Sequence, residues 1–344
     1  MEEKVRIKWI DVARCLGIFA IFLGHYGTAA GNAYTWVFTH HVPLFFLISG
    51  CMEALNNRNS IRKTLHRVGK NILIPWFIFG IVSIVVFAIR EQGSMAAVGA
   101  QVIQLAKGTT RNHFVAGGLW FLTCIAVIQI AFAIIKKVKC KLCILGICLA
   151  LSVIAYYALP NFPLHYPSLP YNLDSAMYYI LFYAIGYVSF PWIQKSLECK
   201  KTSGRIAVGA TALVCLAYAA LLFFGKDLLS YVPNFIGWQF IKSIIRPLLI
   251  IWVYIVGSKL LENVSILGAI GQNTLYLCGS EYIIKKLFGD LLVVFGLSQS
   301  YSNPMTTYLC SALLLVVLHK YFVPLEKKLF AWIYQLPSKF FVKI

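Results

Sequence analysis

Charge is what this sequence has least of: only 12% of its 344 residues are Asp, Glu, Lys or Arg, while 60% are hydrophobic. At a mean hydropathy of +0.76 the chain is too apolar for an ordinary soluble domain, so water is not its main solvent. Acidic residues are the scarcer half, 12 against 31 Lys plus Arg, which leaves a formal charge of +19. Such a surplus would suit nucleic acid if it formed a patch. It falls instead in short clusters between apolar stretches, as in cytoplasmic loops of membrane proteins, and no nucleic-acid partner is expected. Metal-ligand spacing is missing too. No HxxxH or HExxH occurs, and the one CxxC, Cys140 with Cys143, has no second pair at a suitable distance, so no metal is expected. Of the ten cysteines, at least seven lie in apolar segments and behave as small hydrophobes, which leaves no disulfide framework. The longest external connection, about 90–117, and the tail after about 324 are too short for an independent core, so the chemistry must sit among helices. No internal repeat relates the two halves, which weakens an inverted-repeat transporter reading.

What the chain does have is a series of apolar stretches close to the roughly 20 residues that a membrane helix needs. Ten candidates run approximately 10–29, 37–55, 72–89, 118–135, 142–158, 174–193, 206–224, 236–257, 266–284 and 305–323. With the amino terminus inside, 21 Lys and Arg fall in internal loops. Only Arg90, Lys107, Arg111, Lys226, Lys285 and Lys286 fall outside, and this asymmetry fixes the orientation. The expected fold is therefore an all-α integral membrane protein, a polytopic bundle of about ten transmembrane helices with both termini cytoplasmic. Residues 1–344 are expected to form a single transmembrane domain with no attached soluble domain, in the plasma (inner) membrane. Small residues at Thr28–Gly31 mimic a signal-cleavage site, but a cleaved segment has no use for Asp11, Arg14 and His25.

Those three residues make the first helix the most informative segment. Arg14 and His25 are 11 residues apart, close to three turns at 3.6 per turn, so they share a face. Asp11, three residues before Arg14, can pair with it. Ionisable groups inside an apolar helix are costly and usually mark function, although Arg14 could also snorkel to the inner interface. His41, at the outer end of the second segment, could approach His25 if the two helices are neighbours.

The pair Arg14-x10-His25, the run His41-Val42-Pro43-Leu44-Phe45-Phe46-Leu47-Ile48-Ser49-Gly50 and the basic run ending Lys70-Asn71-Ile72-Leu73-Ile74-Pro75 resemble the membrane acyltransferase-3 family. Leu119-Trp120-Phe121-Leu122, Phe182-Tyr183-Ala184-Ile185-Gly186-Tyr187 and Gly271-Gln272-Asn273-Thr274-Leu275-Tyr276 follow in the family's order. The resemblance covers nearly the whole chain, and its fucose 4-O-acetylase-like branch, which modifies polysaccharides, looks nearest. It implies a ten-helix transferase that moves acetyl, or another short acyl group, from acyl-CoA to a sugar hydroxyl. The implied partners are the bilayer, acyl-CoA and a carbohydrate acceptor, and an oligomer is compatible with them. Two departures stand out. Asn71 occupies a position where the family often has Arg, so Lys70 and Arg67 would supply that charge. Glu281 occupies a position in the ninth helix where many members carry His.

The residues suit this chemistry on their own terms. Acylating a hydroxyl needs a base, for which a His of near-neutral pKa within reach is the usual choice, and His25 is the candidate. Developing negative charge and the CoA phosphates need donors. Arg14 can act at depth, and Arg62, Lys63, Arg67 and Lys70 sit on the internal loop where CoA would arrive, although topology alone also accounts for them. Trp120 and the Phe45–Phe46 pair fit packing or the membrane interface better than an acceptor platform. Two other readings remain open in the sequence. A transporter or flippase would line its path with Arg14, Lys242, Arg246 and Glu281, and a non-catalytic partner in glycan assembly would need none of them.

Overall fold

The computed structural model describes residues 6–56, 60–90, 93–159, 169–296 and 303–335, and among these there are fifteen α-helices and no strand. In chain order the helices are α1 (Lys8–Gly24), α2 (Asn32–Phe38), α3 (His41–Asn56), α4 (Ile61–Val68), α5 (Ile74–Arg90), α6 (Met95–Ala106), α7 (Trp120–Ile135), α8 (Lys141–Ala158), α9 (Leu173–Leu197), α10 (Thr202–Phe223), α11 (Trp238–Leu260), α12 (Ser265–Gly271), α13 (Thr274–Val294), α14 (Pro304–Val317) and α15 (Val323–Gln335). Lys4, Arg58, Lys339 and Lys343, four of the internal cations counted above, lie outside the described residues.

Eight helical runs among the described residues are long and apolar enough to cross a membrane. Three are composites, α2 with α3, α4 with α5 and α14 with α15. Where the first and ninth spans were expected, the helices fall short for different reasons. Helix α1 has only 17 residues, and α13 carries Glu281, Lys285, Lys286 and Asp290 along its 21. Helix α1 can hold Asp11 and Arg14 because it faces protein rather than lipid. It packs against α3, α11, α12 and α14, and Trp9, Ile10, Val12, Ala13 and Ile18 are fully buried.

Several boundaries differ from those read in the sequence. Helix α1 stops at Gly24 instead of reaching 29, so His25 is its C-cap and not an interior residue. The second span begins at Asn32 rather than 37, and the third reaches back from 72 to Ile61. The ninth, expected as one helix over 266–284, is broken at Gln272 and Asn273 into α12 and α13. The tenth, expected to end at 323, continues to Tyr334. Hydropathy locates apolar runs, but helical hydrogen bonding continues through polar turns that hydropathy reads as ends.

Prolines shape two of the composite runs. A π-turn at Gly69–Leu73 precedes Pro75, and another at Leu318–Phe322 precedes Pro324. Proline has no N–H and its ring collides with the carbonyl four residues back, so widening the preceding turn lets the helix continue. In the first turn the Ile74 N–H bonds to the Gly69 carbonyl. The Lys70 carbonyl, whose partner in that register would be residue 75, then has no helical donor. The Tyr334 hydroxyl supplies one at 2.6 Å and ties α15 to the π-turn that leads into α5.

The most extensive helix contact is α3 on α9. A Cβ on Gly50 would come within 1.9 Å of the Tyr183 carbonyl oxygen, and one on Gly186 within 2.0 Å of the Leu47 carbonyl oxygen. The two glycines let the backbones touch, which carries Phe46 onto Tyr179 in a stack of 4.8 Å.

Candidate active site

Capping α1 with His25 places an imidazole at the end of the bundle opposite Lys8. The His25 backbone N–H closes the helix onto the carbonyls of Ile21 and Phe22, and helix α13 then holds the residue twice. The His25 Nδ1 lies 3.0 Å from Glu281 Oε1, and the Lys285 ammonium donates to the His25 carbonyl oxygen. Glu281 and Lys285 are four residues apart, so they stand one above the other on a single face of α13. Lys285 also lies 4.9 Å from the centre of the Tyr26 ring, a cation–π contact.

The loop before α7 forms the other wall. Gly118 lies against both His25 and Cys278, and the Cys278 thiol contacts its carbonyl oxygen. Between these elements is a cavity of about 600 Å³ lined by His25, Tyr26, Glu281, Tyr282, Lys285 and Lys286, with Arg90 at its edge ion-paired to Asp290. Glu281 is buried, whereas the His25 side chain is 27% exposed and so reachable from the cavity. A carboxylate on Nδ1 fixes that nitrogen as the donor and leaves Nε2 as the basic one. A base oriented by a buried acid beside a cavity is the arrangement that proton abstraction requires.

The other candidate residues divide between the two ends. Arg14 shares a face with His25 but lies about 16 Å away along α1 at 1.5 Å per residue. It pairs instead with Asp11 at 3.7 Å, and Asp11 also receives Arg6 at 2.8 Å. The cation in contact with His25 is Lys285. His41 is buried with Nδ1 2.6 Å from the Val37 carbonyl, within electrostatic reach of His25 and Arg111. Trp120 is buried with the Arg111 guanidinium 4.9 Å over its ring.

At the Lys8 end, Arg67 pairs with Glu53 at 3.5 Å, and Lys136 pairs with the other oxygen of the same carboxylate. Lys70 lies 5.3 Å over the Tyr334 ring, while Arg62 and Lys63 are exposed on α4. The cations expected to meet CoA and the imidazole expected to act as base therefore occupy opposite ends of the bundle. Arg246, offered for a transport path, does not join Glu281, because it pairs with Asp227 in the loop before α11.

Sequence reasoning missed Lys285, Glu53 and Arg111. Only Lys285 had a legible signal, its four-residue spacing from Glu281 on one helix. Among the described residues no three His, Cys, Asp or Glu side chains converge as metal ligands would.

A family model described as an acyltransferase domain matches residues 7–321, almost the whole chain. No curated protein matches, and no solved structure does. A helical bundle built for a membrane, an acid-oriented histidine beside a cavity and a match over nearly the full length agree with one another, and the chain belongs to the acyltransferase-3 family as a membrane acyltransferase.

Proposed function

We propose that the protein transfers a short acyl group, acetyl in the simplest case, from acyl-CoA on the cytoplasmic side to a hydroxyl of a carbohydrate at the other face. The observation that carries this reading is the His25–Glu281 pair, 3.0 Å apart, on the wall of a cavity of about 600 Å³. His25 Nε2 takes the hydroxyl proton as the oxygen attacks the thioester carbonyl. The C–O bond forms, the C–S bond breaks, and the thiolate leaves with the proton that His25 returns. Glu281 holds the ring and stabilises the imidazolium, the role of the acid in a base–acid pair. Lys285 supplies positive charge beside the developing oxyanion.

Arg62, Lys63, Arg67 and Lys70 suit the CoA phosphates. The helix from Lys70 to Arg90 spans about 30 Å, longer than an extended acyl-pantetheine arm, so these cations receive CoA on entry and the donor then advances lengthwise past Arg14 to bring its thioester to His25. This reading takes α1 and α13 as the first and ninth of ten crossings, with both termini on the cytoplasmic side of the plasma (inner) membrane, as the cation asymmetry supports. The acceptor is a cell-surface or exported sugar, in keeping with the fucose-acetylase-like character of His41–Gly50.

Mass spectrometry of surface glycans with and without the gene tests the reaction. One acyl mass lost per repeating unit is the expected result. Purified protein in lipid discs with labelled acetyl-CoA and that glycan tests the assignment: His25→Gln should lose turnover by about 10² to 10⁴. A His25→Gln variant with wild-type turnover would make the residue structural and move the base to His41.

A further inference from the structure

A second cavity, of about 610 Å³, opens in the wall of the bundle between α9, α10 and α11, well away from His25. Trp192, Lys195, Gly204, Val208, Leu248 and Trp252 are among its lining residues. Pro191 lies within α9 and Pro247 within α11, and the lining residues of these two helices cluster next to them. A proline inside a helix removes one hydrogen bond and bends the axis. At Pro247 the freed carbonyl is that of Ser243, which the Tyr178 hydroxyl meets at 3.3 Å, so the bend is satisfied and fixed. The Trp252 indole N–H donates to Thr211 Oγ1 at 3.1 Å, so neither group is left open to the cavity. Trp192 and Trp252 pack with ring centres 5.6 Å apart and planes tilted by 31°, leaving an apolar trough with one charged residue, Lys195, at its edge.

Length and charge identify the occupant. The trough runs along α10 from Gly204 to Cys215, about 16 Å at 1.5 Å per residue, against about 15 Å for half the hydrocarbon core. Its one charged end continues into Lys200, Lys201 and Arg205, all exposed. None of these or Lys195 has a carboxylate partner among the described residues. Glu198, the acid nearby, is held by Gln194. We infer that this groove binds an anionic phospholipid of the bilayer, one acyl chain lying in the trough of a single leaflet and the phosphate resting on the cations between Lys195 and Arg205. A zwitterionic lipid would fit the trough but bring an ammonium to those cations, so selectivity resides in the headgroup.

Native mass spectrometry of protein equilibrated with equal amounts of phosphatidylglycerol and phosphatidylcholine tests the proposal. Wild type is expected to retain phosphatidylglycerol about tenfold over phosphatidylcholine, and the variant K195Q/K200Q/K201Q/R205Q to retain the two equally. Ala207→Trp, which fills the trough from α10, should lower retention of both lipids. Equal retention by wild type, or an undiminished preference in the fourfold variant, overturns the proposal. So does full retention by Ala207→Trp, since the lipid would then sit on the loop alone. Should the fourfold variant fail to fold, raising salt on wild type decides instead: a preference that does not fall with ionic strength is not electrostatic.

Discussion

His25 has both of its handles taken by one helix, the ring by Glu281 and the main chain by Lys285. Glu281→Gln keeps the volume of the side chain but loses the charge, and its amide can turn the imidazole to the wrong tautomer. Turnover should fall by about 10² to 10⁴ with little change in the Michaelis constant for acyl-CoA, measured in lipid discs. Wild-type turnover in that variant, with His25→Gln inactive, would sink the orienting role. Asp227 gives a second test at this scale. Partial burial pushes its carboxyl up, but hydrogen bonds from Ser230 and Tyr218 and the Arg246 guanidinium outweigh that and hold it below the usual carboxylate range. A depressed folded value means that the clasp is complete above the ordinary carboxylate range and is lost as pH falls through the folded value. Protease nicking between residues 225 and 237 should therefore rise only in strong acid, and Asp227→Asn should show it at neutral pH. Single residues were legible to the extent that they were out of place. His25 and Glu281 stood out as ionisable groups in apolar runs, but no local signal shows that positions so far apart in the chain meet.

Elements were legible where hydropathy governs them and not where hydrogen-bond register does. The apolar stretches became helices, whereas the continuous run from Ile61 to Arg90 did not look like one because Arg62, Lys63, Arg67 and Lys70 lower its hydropathy. The π-turn inside it makes a definite expectation. Tyr334→Phe leaves the Lys70 carbonyl without its donor and should cost about 1 kcal/mol, read from thermal unfolding in detergent. In a Pro75→Ala background, the restored N–H of residue 75 can serve that carbonyl in the π register, so the same change should cost clearly less. Equal costs in both backgrounds would show that Tyr334 contributes only packing. At the α3–α9 contact, Gly50→Ala should cost about 1 to 3 kcal/mol by overpacking, because its Cβ would lie 1.9 Å from a carbonyl oxygen. Gly146→Ala in α8, with nothing within 4 Å, is the control and should be neutral or stabilising.

The molecule as a whole is organised by scarcity of acid. The cation asymmetry suggested an orientation and hydropathy a bundle, which together already set the basic loop at the end away from His25; what stayed hidden is that Glu281 and Lys285 of α13 meet His25 there. Reporter fusions check the arrangement: a phosphatase inserted after Ser230 should be active outside, and one after the carboxy terminus inactive. Three buried carboxylates share a further trait. Asp11 stands between Arg6 and Arg14, Glu53 between Arg67 and Lys136, and Glu281 between His25 and Lys285. Losing one base leaves such an acid still neutralised by the other, whereas losing the acid strands two bases in a poorly solvated place. A complete substitution scan should accordingly be lopsided, with the few acids inside the bundle tolerating almost nothing and many of the 31 basic positions accepting exchange.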